Sequence, residues 1–169
     1  MDLKLTIEQI DKISTDHKEK LSSAVLNSSQ VLLIGNGGSN SIASHIAVDY
    51  IKFLSKKAMS FSDAPMITAY MNDYGVDQAY KQFIEDYDDG KKTLVILISS
   101  SGNSQNIYNA TKYCVEKQIN YITLTGFSEY NNVRKDFGDG AVIDYWVDSE
   151  SYGVVECVHQ IFLHMIINN

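Results

Sequence analysis

The sequence predicts an α/β domain in which a central parallel sheet is covered by helices on both faces. Three observations predict it. Short continuous apolar runs recur along the chain, VLLIG at 31–35, TLVILIS at 93–99 and YITLTG at 121–126, which is how strands buried on both faces read. A glycine- or serine-rich loop follows the first two runs at once, and a segment with helical apolar spacing follows each loop. The chain has 169 residues and no linker, repeat or low-complexity stretch, so residues 1–169 are expected to form one domain around one core.

Taken in order, residues 3 to 28 read as one long helix, with Leu5, Ile7, Ile10, Ile13, Leu21 and Val25 near helical spacing among charges and a polar break at Asn27-Ser28-Ser29. One side of this helix is apolar enough to predict packing on another subunit. VLLIG is a strand, NGGS a loop, and a helical pattern through Ile42, Ala43, Ile46 and Ile51 fills 40–55. FSDAPMITAYMNDYG reads as mixed strand and loop around Pro65, the only proline, and 76–88 as helix. TLVILIS, the loop SSGNS and a helix over about 105–117 follow, then the strand YITLTG. Residues 127–140 read as loop, AVIDYWV (141–147) as a possible fourth strand, and 154–167 as a closing helix.

Composition narrows the function classes. A formal net charge of -7 gives a polyanion no attraction, so nucleic acid is not an expected partner. Cys114 and Cys157 make neither a disulfide framework nor a CxxC motif. The N-terminus lacks the apolar segment of a signal peptide, and no run reaches the roughly 20 apolar residues of a membrane helix. A cytoplasmic protein is expected.

Two loops have the chemistry to hold phosphate. Gly35-Asn36-Gly37-Gly38-Ser39 joins a strand to a helix. Its glycines allow close backbone approach, and the helix that follows aims free N–H groups and its positive dipole end at the loop. Ser99-Ser100-Ser101-Gly102-Asn103-Ser104 repeats the arrangement after the next strand. Four hydroxyls in six residues are costly to bury without partners and suit the acceptor oxygens of one phosphate. Ordinary strand-to-helix turns with serine caps are the alternative, weakened by the recurrence at equivalent places. No GK[ST] or GxGxxG is present, so no nucleotide is expected.

The helices carry the remaining chemistry. His45 and Asp49, four apart, share a helix face and can share a metal or a proton; a solvated polar face is the plainer reading. Glu156 and His164, eight apart, lie about 80° around the last helix axis and can converge from adjacent faces. His159 is a competing candidate.

GNGGSNSIASHIAVD followed by ISSSGNS, with NDYG at 72–75, ITLTG at 122–126 and the C-terminal helix, resembles the SIS (sugar isomerase) superfamily and most of all its phosphoheptose isomerase branch. The resemblance implies a flavodoxin-like three-layer sandwich and an aldose–ketose isomerase that converts sedoheptulose 7-phosphate to a heptose 7-phosphate (D-glycero-D-manno) through an enediol, toward bacterial surface heptoses. It implies sugar contacts at Asn36, Gly37, Gly38, Ser39, Asn72, Asp73, Ser99, Ser100, Ser101, Ser104 and Glu156. It implies a zinc site at His45, Asp49, Glu156 and His164, with acid–base roles at the second and fourth of these, and a homotetramer with sites at subunit interfaces. Two departures stand out. Asp49 replaces a glutamate and is one methylene shorter, and a displacement of about 1 Å at a catalytic group can cost on the order of 100-fold in rate. Glu156 replaces a glutamine, so two carboxylates and two imidazoles favour a divalent cation, Zn²⁺ first. The expected carbon base is therefore Asp49 or Glu156, with His164 handling the oxygen proton. A non-catalytic regulator that binds a sugar phosphate or a protein, and an isomerase of another sugar phosphate, are the competing readings.

Overall fold

A computed structural model describes residues 2–167. Five parallel strands form one sheet, β1 (Gln30–Gly35), β2 (Ala58–Ser60), β3 (Thr93–Ser99), β4 (Asn120–Thr125) and β5 (Ile143–Trp146), in the order β2-β1-β3-β4-β5. Eight helices connect and cover it: α1 (Leu3–Ile10), α2 (Thr15–Asn27), α3 (Gly38–Leu54), α4 (Ala64–Tyr74), α5 (Ala79–Tyr87), α6 (Gln105–Lys117), α7 (Asn132–Phe137) and α8 (Tyr152–His164). Alternate residues of each strand feed opposite cores. Val31 and Leu33 face α2, α3 and α8, while Leu32 and Ile34 face α5 and α6. The expected three-layer sandwich with a flavodoxin-like strand order is what the chain forms. No helix among the described residues is long and apolar enough to cross a membrane.

The register places the site. Gln30 pairs with Thr93 and Gly35 with Ile98, so β1 and β3 end side by side at the carboxyl edge of the sheet. The strand order reverses between them, with β2 outside β1 and β3 inside. Parallel sheets open a crevice at such a switch point, and both phosphate-type loops emerge into it.

Several expectations need correction. The single helix over 3–28 is two helices, α1 and α2. Ser14 separates them because it caps α2: its hydroxyl accepts from His17 N at 3.2 Å, and His17 Nδ1 accepts from Ser14 N at 3.2 Å, a reciprocal cap that ends one helix and starts the next. α1 also turns Ile7 outward and buries Thr6 and Gln9; Gln9 Oε1 accepts from Asp148 N at 3.2 Å. The FSDAPMITAYMNDYG segment is mainly helix α4, because Asp63 caps Met66 N at 3.1 Å and Pro65 sits in the first turn, where a missing N–H costs nothing. The 127–140 segment contains α7 and a short 3-10 turn at Gly138–Gly140. The three-residue strand β2 was too short to show an apolar run.

Candidate active site

Gly35 ends β1 with its backbone against Ser39, where a Cβ would lie 2.7 Å from the Ser39 carbonyl carbon. Gly37 takes a φ of +54°, and α3 starts at the next residue without a side-chain cap, so the first turn of α3 opens onto the crevice. Across it, Ser99 ends β3, and its hydroxyl accepts from Gly102 N at 3.1 Å. Gly102 has a φ of +63°, and a Cβ there would overlap the amide of buried Asn131. Only glycine meets both requirements.

Between these loops lies a cavity of about 240 Å³ lined by Asn36, Gly37, Gly38, Ser39, Ser99, Ser100, Ser101, Ser104, Tyr152 and Glu156. The two loops expected to hold phosphate thus form one cradle. Ser100 is 4% exposed and its Oγ has no hydrogen-bond partner. A buried hydroxyl left so costs about 1–3 kcal/mol, and an oxygen-rich ligand would offset it. No lysine, arginine or histidine lines the cavity, and the Glu156 carboxylate does; what it offers an anion is hydroxyls, backbone N–H groups and the α3 dipole. Gly37 also lines a polar cleft of about 540 Å³ that runs along α3 past Ser41 and Ser44 to His45.

His45, at the end of that cleft, converges with two groups that do not line it, Asp49 and His164. Asp49 Oδ2 lies 3.2 Å from His45 Nε2 and 3.0 Å from His164 Nε2, and one donor atom from each of the three lies within 4.8 Å of the others. Asp49 is the most enclosed, its side chain 14% exposed against 55% for His45 and 34% for His164. The ring of His164 is held by Gln160, whose backbone oxygen lies 3.0 Å and whose amide nitrogen lies 3.2 Å from Nδ1. When Nδ1–H donates to that carbonyl, Nε2 presents its lone pair to Asp49, and the two need a proton or a cation between them. Two imidazoles and a carboxylate are a donor set that suits Zn²⁺, with Asp49 Oδ2 close to both imidazoles and all three donors within 4.8 Å. The donor set fits a divalent cation.

The expected fourth ligand, Glu156, is not in this cluster. Its carboxylate packs against Gly38, where a Cβ would overlap it, and it lines the serine cavity. Eight residues set the two positions about 12 Å apart along α8, and the Glu156 side chain turns to Gly38 instead of spanning that rise toward His164. Asn72 and Asp73 are exposed near the end of α4, hydrogen-bonded to each other at 2.8 Å, and line none of these clefts. His159 is buried away from the cluster, with Nε2 3.0 Å from Thr125 O. Tyr80, Asn106, Asn131, Tyr152 and Gln160 support or line the site and were not singled out from sequence. Asn106 lies in the first turn of the helix that follows the serine loop, which marks its place but not its role.

A family description, SIS domain, matches residues 4–126. A phosphoheptose isomerase of Buchnera aphidicola is 36% identical over 114 residues, 64% of this chain and 56% of that protein. The matched stretch thus spans little more than half of that relative's length. A phosphoheptose isomerase of Fusobacterium nucleatum is 30% identical over 157 residues, 88% of this chain and 76% of that protein. Among solved structures, a phosphoheptose isomerase from Neisseria gonorrhoeae superposes with a TM-score of 0.83 at 24% identity, covering 95% of this chain and 89% of that one, which bears on the fold. The chain therefore belongs to the SIS domain family, within the group that contains the phosphoheptose isomerases.

Proposed function

We propose that this protein is an aldose–ketose isomerase that converts sedoheptulose 7-phosphate to D-glycero-D-manno-heptose 7-phosphate. The observation that carries the reading is that one helix joins the two halves of the site. Ser39 opens α3 at the anion cradle, and His45 and Asp49 follow on the same helix. The rise from Ser39 to His45 is about 9 Å, which suits a sugar whose phosphate and carbonyl stand at opposite ends of a seven-carbon chain. The similarity to phosphoheptose isomerases supports the same substrate.

The chemistry follows from the placement. The cradle binds the phosphate and the sugar extends along α3, which brings the reacting carbons toward Asp49 and His164. Asp49 removes a proton from C1, the C1–H pair becomes the C1–C2 double bond, and His164 gives a proton to O2, forming the enediol. His164 then takes the proton from O1 as the C1 carbonyl forms, and Asp49 returns its proton to C2. The proton balance closes without a co-reactant. Of the two carboxylates expected as carbon base, Asp49 is favoured because Glu156 lines the cradle, at the phosphate end. With a divalent cation such as zinc bound, His45, Asp49 and His164 would hold it, and it would polarise the carbonyl in place of the proton from His164. We place the enzyme in the cytoplasm as a homo-oligomer, a tetramer by the family resemblance, at an early step toward the heptose of lipopolysaccharide or capsule.

Incubation with sedoheptulose 7-phosphate in D₂O, with added Zn²⁺ and after chelation, followed by proton NMR, tests this. The expected result is an aldose signal and deuterium at the exchanged carbon, reduced about 100-fold or more in His164→Ala. A loss of less than tenfold in that variant would remove His164 from the mechanism. A folded protein that gives neither exchange nor product would be a sugar-phosphate-binding regulator or would act on another sugar phosphate.

A further inference from the structure

We propose that Tyr80 and Asn106 are positioning residues that turn Asn36 into a fixed hydrogen-bond donor at the rim of the anion cradle. The inference rests on the sugar-phosphate reading of that cavity and goes beyond it by assigning roles to two side chains that do not line it.

Asn36 follows β1 directly and is exposed at the cavity. An exposed asparagine ordinarily rotates freely and offers either its oxygen or its nitrogen. Here the amide is committed. Oδ1 accepts from Asn106 Nδ2 at 3.0 Å and lies 2.8 Å from the Tyr80 hydroxyl, and Nδ2 donates to Asn106 Oδ1 at 3.0 Å. The two asparagines thus form a reciprocal amide pair. Its sense is set by the backbone, because Asn106 Oδ1 also accepts from Ile107 N at 2.9 Å. Turning the Asn106 amide over would put two donors face to face, so its nitrogen points at Asn36 Oδ1 and the orientation of Asn36 follows.

Counting valences gives the consequence. An amide oxygen has two lone pairs and an amide nitrogen two hydrogens. One lone pair of Asn36 Oδ1 takes the Asn106 amide hydrogen, the other faces the single Tyr80 hydrogen that Gly35 O shares, and one hydrogen of Nδ2 is used. What remains for a ligand is one N–H. The supports are rigid: Tyr80 is 3% and Asn106 6% exposed. The Tyr80 hydroxyl directs its one hydrogen between Gly35 O at 2.6 Å and Asn36 Oδ1 at 2.8 Å, and burial pushes its pKa up to about 12, so it keeps that hydrogen. The serine hydroxyls of the cradle can rotate between donor and acceptor, whereas Asn36 cannot. It therefore selects a ligand atom that only accepts, such as a phosphate oxygen.

Inorganic phosphate is the first probe, its dissociation constant measured by calorimetry on the full chain, with KM and kcat for sedoheptulose 7-phosphate beside it. Tyr80→Phe keeps the ring and removes one support. It is expected to weaken phosphate binding and raise KM about three- to tenfold, with kcat within twofold, because the anchor is remote from the reacting carbons. Asn106→Ala is expected to do the same or more. A lowered melting temperature in Tyr80→Phe with phosphate binding unchanged would make the network merely structural and overturn the proposal. So would an equal loss in kcat with KM unchanged. Ser100→Ala separates the two levels. If it weakens phosphate binding and Tyr80→Phe does not, the positioning role falls and the cradle stands. If neither variant changes phosphate binding, the anion-pocket reading itself falls.

Discussion

His159 lies on α8 at 0% exposure, with Nε2 3.0 Å from the Thr125 carbonyl oxygen and Nδ1 without a partner. The ring is neutral there: Nε2–H donates, and a second proton on Nδ1 would be a charge with nothing to solvate it. Burial holds its pKa down to about 4. The direction of the pH effect follows. Above about pH 6.5, the ordinary histidine value, both folded and unfolded chains hold the ring neutral. Between about 6.5 and 4 the unfolded chain binds a proton that the folded chain does not, so stability falls as pH falls, by about 1.4 kcal/mol per unit. From pH 7 to pH 5, urea unfolding should show the native protein losing about 2 kcal/mol more than His159→Gln. Equal losses would mean that the ring is not held neutral. The same residue shows what was legible one side chain at a time. The serines and glycines of both loops could be read because their types are locally unusual. The roles of His159, Tyr80 and Asn106 could not, because a histidine, tyrosine or asparagine on a helix has no local mark that tells a support from a ligand.

At the scale of elements, α7 shows how a segment without apolar periodicity becomes helix. Its six residues are capped by Asn131, whose Oδ1 accepts from Arg134 N at 3.1 Å. They are tied to the sheet by Arg134, whose Nε donates to Asp144 Oδ2 at 2.7 Å and whose guanidinium lies 5.3 Å from the Trp146 ring centre. Asp144 Oδ1 in turn accepts from Thr123 at 2.7 Å. The pair is largely enclosed, Arg134 24% and Asp144 16% exposed, so removing one partner leaves the other poorly solvated. Arg134→Ala should lower the unfolding free energy by about 1–3 kcal/mol in denaturant titration, and Arg134→Lys should not restore it, since an ammonium lacks the planar fork and the stacking face. A loss under about 0.5 kcal/mol in Arg134→Ala would place the pair among surface bridges of little weight. Because Asn131 also backs Gly102, the tie steadies the serine loop. The same scale explains the misread α4. MITAYM has the apolar density of a strand, and the cap at Asp63 with Pro65 behind it decides for helix.

For the whole molecule, α1 leaves Leu3 65% and Ile7 59% exposed, and α3 leaves Val48 and Ile51 about half exposed beside His45. Apolar side chains grouped on helices around a site are a docking surface when another copy covers them. Sedimentation velocity should therefore show an oligomer, and Leu3→Asp with Ile7→Asp should shift it to smaller species without changing the circular dichroism. An unshifted oligomer would take α1 out of the interface.

The parallel three-layer architecture, the two glycine- and serine-rich loops and the pairing of His45 with Asp49 follow from the chain's residues alone. Each is written within a few consecutive residues: a buried strand is a continuous apolar run, a phosphate loop a cluster of glycine and serine, and a helical pair a spacing of four. It takes the packed fold to show that His164 joins that pair while Glu156 turns to the cradle, that Asn36 is held from α5 and α6, and that the first long apolar pattern is two helices. Those outcomes depend on which elements pack together and at what height along their axes, and hydrophobic periodicity records the face of a helix but neither its neighbour nor its level.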